Sequence, residues 1–98
     1  MKAQLIHEHH AHIHTPEELT YIPRTYGCER SDGIWEAWLE FVPLSPGAPR
    51  LRTERDTTQA SRPAVVSWAL GLEGAYLEGA FARAFVAETT HVAHGRGR

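Results

Sequence analysis

Cysteine is almost missing from this chain of 98 residues: Cys28 is the only one. An intrachain disulfide is therefore excluded. A domain this small buries only roughly 60–65% of its unfolded surface, which leaves it marginal without a staple or a partner. Scarce cysteine also fits a reducing compartment, so a cytoplasmic location is expected. Lysine is equally scarce, with Lys2 alone beside nine arginines, a bias of composition rather than a site. No apolar run reaches the length of a membrane span, and no apolar leader with a small-residue cleavage site opens the chain. An excess of one charge is missing too. The net charge is −2 with histidines neutral, so nothing draws the whole chain to nucleic acid or anionic lipid, and neither is expected as a partner.

What is present is a strand signal. In Ile34 to Val42, Trp35, Ala37, Leu39 and Phe41 alternate with Glu36, Trp38 and Glu40, the period of a strand with one face on a core. Helical spacing of Trp35, Trp38, Leu39 and Val42 is the rival, but the residue types favour a pleated surface and Pro43 stops the run. Asp32-Gly33 is a turn signal, so the preceding segment, Tyr21 to Arg30, becomes the other arm of a hairpin. Pro23 within it points to an edge position. Pro43 to Pro49 reads as loop, and Arg50 to Gln59 as a third strand, too polar for burial on both faces.

Ser61 before Arg62-Pro63 caps a first helix, with Val65, Trp68, Ala69 and Leu72 at helical spacing up to a break at Gly71. A second helix is expected from about Leu72 to Ala87. Its charges, Glu73, Glu78, Arg83 and Glu88, recur every five residues, a step of about 140° around the axis, so they gather on no face. Tyr76, Leu77, Phe81, Phe85 and Val86 are then also spread around it. Such a helix needs more cover than a small sheet provides, and a homodimer with Phe81 or Phe85 at the contact is the expectation. Thr15-Pro16-Glu17-Glu18 has the form of a helix start, or matches it by chance, with room for about one turn before Pro23. The expected architecture is α+β: a three-stranded antiparallel meander followed by two C-terminal helices. Residues 1–14 form a histidine-rich extension, 15–88 one domain and 89–98 a flexible tail.

Several of these residues resemble a pattern in a family of small, functionally uncharacterised bacterial proteins. They are Tyr26-Gly27, Arg30, Asp32-Gly33, Trp35-Glu36, Trp38-Leu39-Glu40-Phe41, Leu51-Arg52-Thr53, Arg55-Asp56-Thr57-Thr58-Gln59, Arg62, Trp68-Ala69 and Tyr76-Leu77-Glu78-Gly79-Ala80. The resemblance covers about Tyr26 to Phe85. It implies a shared compact domain and no activity. The order strand–strand–strand–helix also looks loosely like the small domain of HicB-type antitoxins. Those usually carry an added DNA-binding segment that has no counterpart in this sequence, and fold alone does not carry function.

Three candidate sites follow from the residues. His7, His9, His10, His12 and His14 place five imidazoles in eight positions. Extended or helical, two of them share a side and could meet a divalent transition metal; with Glu8 as the only near carboxylate, a solvated extension is the plainer reading. Joint protonation of these side chains below neutrality makes a pH-sensitive segment a third. Arg52, Arg55, Asp56, Gln59 and Arg62 crowd the passage from a strand to a helix N-terminus, a place suited to an anion or nucleotide. Here the plainer reading is pairing of charges across a solvated sheet face. Trp38, between two glutamates on the polar face, is expected to be exposed and to suit an unidentified protein partner. No catalytic arrangement stands out: Cys28 lacks an evident base, and no glycine-rich phosphate loop follows a strand. The expected function is a small self-associating interaction module; a metal-binding protein is the alternative and an anion or nucleotide binder the third reading.

Overall fold

The computed structural model describes residues 2–96, the side chains of residues 90–96 excepted. An antiparallel sheet is followed by two C-terminal helices, the α+β class the sequence predicts. Its strands are β1 (Gln4–Glu8), β2 (Ile13–His14), β3 (Thr20–Glu29), β4 (Trp35–Pro43), β5 (Leu51–Arg52) and β6 (Thr57–Gln59), and its helices are α1 (Arg62–Leu70) and α2 (Gly74–Arg96). The order across the sheet is β1-β3-β4-β5, with β2 beside β3 and β6 beside β4.

The β3–β4 hairpin is the spine. Its register pairs Tyr26 with Trp38, Arg24 with Glu40 and Cys28 with Glu36. The turn is set by Gly33 at φ 87°, a conformation costly for any residue with a Cβ. Asp32 supports it by accepting the Ile34 N–H at 3.0 Å. Trp35, Ala37, Leu39 and Phe41 all point to the helices and are buried. α1 begins where expected: Ser61 Oγ accepts the Ala64 N–H at 3.2 Å, with a proline in the first turn and a stop at Gly71. From α2, Leu77, Ala80 and Ala84 meet the main core of Tyr21, Leu39, Phe41 and Leu51. Val65 of α1 meets a second cluster around Trp35 and Ala37.

Four departures from the sequence reading matter. The sheet has more strands than a three-stranded meander, because residues 1–14 contribute β1 and β2 rather than a loose extension. Ile13 is in the main core, and Ile6 packs on the second cluster. Consequently β3 is a central strand and not an edge. The Leu44 N–H donates to the Thr20 carbonyl and the Arg30 N–H to that of Ile34; strict alternation then turns the Pro23 nitrogen away from β4. It faces the break between β1 and β2, where no donor is needed, and the Pro23 carbonyl accepts from the His9 N–H at 2.9 Å. The Thr15 signal makes a turn instead of a helix: Thr15 Oγ1 accepts the Leu19 N–H, and Glu18 takes φ 67°. Finally, α2 runs past Ala87 to Arg96. The expected tail, 89–98, coincides with its last turns and with residues 97–98, which lie outside the described residues.

Candidate functional site

The outer edge of β4 is where the sequence-predicted residues gather. β5 and β6 are one strand interrupted by Thr53–Asp56, and β4 spans the gap. The Leu39 N–H donates to Thr53 Oγ1 at 3.0 Å, and the Asp56 N–H donates to the Ala37 carbonyl at 2.8 Å. A threonine hydroxyl thus satisfies a backbone donor that the broken ladder would leave alone. Asp56 is the knot of this bulge. Its carboxylate accepts from Thr53 Oγ1 at 2.6 Å, the Tyr76 hydroxyl at 3.2 Å and the Arg83 guanidinium at 3.0 Å. The Asp56 side chain is only 4% exposed although Arg83 is 55% exposed, and the contacts from Tyr76 and Arg83 tie α2 to the bulge. Burial first, then the Asp56 charge, push the Tyr76 phenol above its ordinary pKa, which keeps it protonated as a donor.

On the face opposite the helices, Trp38 is not exposed as expected but 6% accessible. The Arg52 guanidinium lies 4.3 Å above its ring, and the indole N–H donates to Glu40 at 2.9 Å. A cation on a tryptophan face is a favourable cover. The cover continues along the sheet. Arg50 donates to Glu40 and to the Tyr26 hydroxyl, Arg24 donates to Glu8 and weakly to Tyr26, and Arg30 and Arg55 flank Glu36 at 3.7 and 3.9 Å. Glu36 and Glu40 are accordingly half-buried partners of arginines rather than free carboxylates.

The expected anion site at the helix start is not assembled. The bulge does put Arg52 and Arg55 on one face of the sheet, but it is the face away from α1. Arg62 instead donates to Gln4 Oε1 at 3.0 Å, tying α1 to β1. Gln59 bonds within its own strand, to Thr57 Oγ1. Of the five candidates, only Asp56 organises its neighbours.

The histidines are likewise dispersed. His9 is 6% exposed, with Nε2 2.8 Å from Thr25 Oγ1, and the His7 ring meets its edge at 4.7 Å between centroids. Burial, with His7 and His10 nearby, lowers the His9 pKa to about 4. His10, His12 and His14 are exposed, and His14 reaches Thr20. Among the described residues, no three histidine, cysteine, aspartate or glutamate side chains come together to hold a metal ion. The divalent-metal reading therefore has no converged ligand set in this fold.

Apolar surface remains on the other side of the molecule. Phe85 is 54% and Val86 60% exposed. With Phe81, Ala82, Ile13 and Pro16 they line a groove of about 550 Å³ between α2 and the β2 turn, with Glu17 and Glu78 at its rim. Sequence reasoning found Phe81 and Phe85 but not the opposite wall, because Ile13 is hidden among histidines. It also missed Tyr26, Arg24 and Arg50. Their signal was arithmetic: once Asp32-Gly33 fixes the hairpin, Tyr26 must face Trp38 and Arg24 must face Glu40. Thr25 and Arg83 carry no such signal.

Compared with known protein families, curated proteins and solved structures, the chain matches none. No helix among the described residues is long and apolar enough to cross a membrane.

Proposed function

We propose that this chain is a small self-associating interaction domain, in which a second copy docks along the groove between α2 and the β2 turn. The exposure of Phe85 and Val86 around an apolar groove carries the reading, since contiguous apolar surface on a small domain marks an interface. The other surfaces argue in the same direction. Both outer strands of the sheet are interrupted, β1 by a register shift between Leu5 and His7 and the β5–β6 edge by the Thr53–Asp56 bulge, and such irregularities discourage edge-to-edge pairing. The open sheet face has its aromatics covered by arginines. A two-fold contact places the same patch on both copies and covers both grooves at once. Membership of the bacterial family that the sequence resembles would add a shared compact domain and no reaction.

Light scattering on the wild-type chain and on Phe85→Glu tests the proposal. A dimer at micromolar concentration is expected for the first. A monomer with unchanged far-ultraviolet circular dichroism is expected for the second, because Phe85 is already exposed in one copy and its replacement costs only the contact. A wild-type monomer under these conditions would refute it.

A further inference from the structure

We infer that residues 4–14 form an acid-released latch, in which protonation of His9 frees β1 and β2 from the sheet and removes the β2 wall of the groove. The segment is held at few points. β1 pairs with β3 at four positions, with a register shift between Leu5 and His7, and β2 pairs at only two. The Arg24–Glu8 ion pair and the Arg62–Gln4 hydrogen bond are exposed, and an exposed ion pair contributes little. The apolar anchors are Ile6 and Ile13, one on each core cluster. His9 lies between them, in the break between the two strands, and is the segment's one buried polar side chain among the described residues. Its N–H donates to the Pro23 carbonyl at 2.9 Å, and its ring meets the fully buried Thr25 hydroxyl at 2.8 Å.

A neutral ring suits this place and a cation does not. A protonated imidazole has two N–H donors and a full charge to solvate, and among the described residues Thr25 is the ring's only hydrogen-bond partner. The groups that act on its charge are His7, whose ring stands edge-on at 4.7 Å, and His10, and each repels a second proton. From β3, Thr25 and Tyr21 share its face, while Arg24 and its partner Glu8 lie on the other. Neither Arg62 of α1, nor Glu78 and Arg83 of α2, nor Glu73 ahead of it acts on His9, so no carboxylate offsets the charge. Once released, the ring is solvated and takes a proton at its ordinary pKa of 6.5, against about 4 in place. At pH 5.0 that difference multiplies the released population about thirtyfold. The β3–β4 hairpin, paired at nine positions, stays behind. Ile13 and His14 line the groove, so the departing latch takes one wall with it. That consequence for a second copy rests on the dimer proposed above; the latch itself does not.

Amide hydrogen exchange at pH 7.5 and 5.0, corrected for its intrinsic pH dependence, tests the latch in the full chain and in His9→Gln, His7→Gln and His14→Gln. Residues 4–14 should be less protected than residues 35–41 of β4 at both pH values, since the latch opens without the rest. Their protection should fall about thirtyfold on acidification of the wild type. The fall should vanish in H9Q and largely persist in H7Q and H14Q. Nitrogen NMR shifts of the wild-type imidazoles give a readout that needs no variant: in the folded chain His9 should still be neutral at pH 5.5. A protonated His9 at that pH, residues 4–14 as protected as β4, or an acid response retained in H9Q would overturn the latch. Sedimentation at the same two pH values reads the consequence, with the dimer dissociation constant raised by acid in the wild type and not in H9Q. An opening latch beside a dimer indifferent to acid would refute its link to the groove. A chain monomeric at both pH values refutes the dimer and leaves the latch standing.

Discussion

On the face of the sheet that meets the helices, Ala37, Leu39 and Phe41 are fully buried among apolar neighbours, while on the opposite face Glu36, Trp38 and Glu40 of the same strand lie beneath arginines. Among the described residues, no helix covers that second face. Arg52, Arg50, Arg24 and Arg55 provide the cover with their stems and planar heads, each anchored to a carboxylate, a phenol or an indole. One strand therefore has two packing regimes. The difference shows how a chain of 98 residues can cover both faces of a sheet with helices on one face, since long polar side chains bury apolar area without removing their charge from water. Apolar surface is left exposed elsewhere, at Leu5, Leu44 and Leu70 and, on α2 beside the groove, at Phe85 and Val86.

The two regimes differ in what their removal should cost. Leu39→Ala empties a fully buried position facing α2 and should lower stability by about 2–5 kcal/mol in a denaturant titration. A loss under about 1 kcal/mol would mean the helices do not hold that face as closely as the burial implies.

Next in size is the acid response of the helix-side face, where His9 is held in the neutral form. The His9 pKa is depressed from 6.5 to about 4 in the folded chain. Above 6.5 neither state is protonated at His9 and stability is unaffected. Between the two values the unfolded chain binds a proton that the folded chain refuses, so stability falls as pH falls, and the loss is complete below about 4. Its limit is about 3 kcal/mol for a shift of this size. His9→Gln should flatten that part of the pH profile while retaining a partner for Thr25. An unchanged profile would place the acid sensitivity in other groups.

The smallest effect belongs to the open face. Arg52→Ala uncovers Trp38 and should cost about 0.5–1 kcal/mol, the range of an exposed cation–aromatic contact, with a red shift in tryptophan fluorescence as water reaches the indole. A cost as large as that of Leu39→Ala would erase the distinction between the faces and make Trp38 a core residue in the full sense.

Much of the helix-covered face was legible in the sequence, because period-two alternation in β4, the Asp32-Gly33 turn and the Ser61 cap are local signals that agree with one another. The N-terminal strands were not. Ile6 and Ile13 do the packing there, but five imidazoles surround them, and a histidine reads as polar although His9 is buried. Pro23 misled for a related reason: proline is costly in a central strand only if its nitrogen faces a partner, and the break between β1 and β2 is a long-range fact. Trp38 was assigned to the correct face with the wrong exposure, since alternation gives direction and says nothing of what a neighbouring strand lays on top. Asp56 and Arg52 were recognised as polar groups at a junction. The bulge that gives them separate tasks depends on hydrogen bonds to Leu39 and Ala37 across the sheet, and no local pattern announces those.

Hydroxyl-radical footprinting of side chains over a concentration series tests most directly whether the unused apolar surface lies on α2 and the satisfied surface on the sheet. Phe85 should become protected as concentration rises through the micromolar range, while Tyr26, under its arginines, should keep a constant reactivity. Protection of Tyr26 with Phe85 unchanged would contradict the account and move the interface to the open face of the sheet.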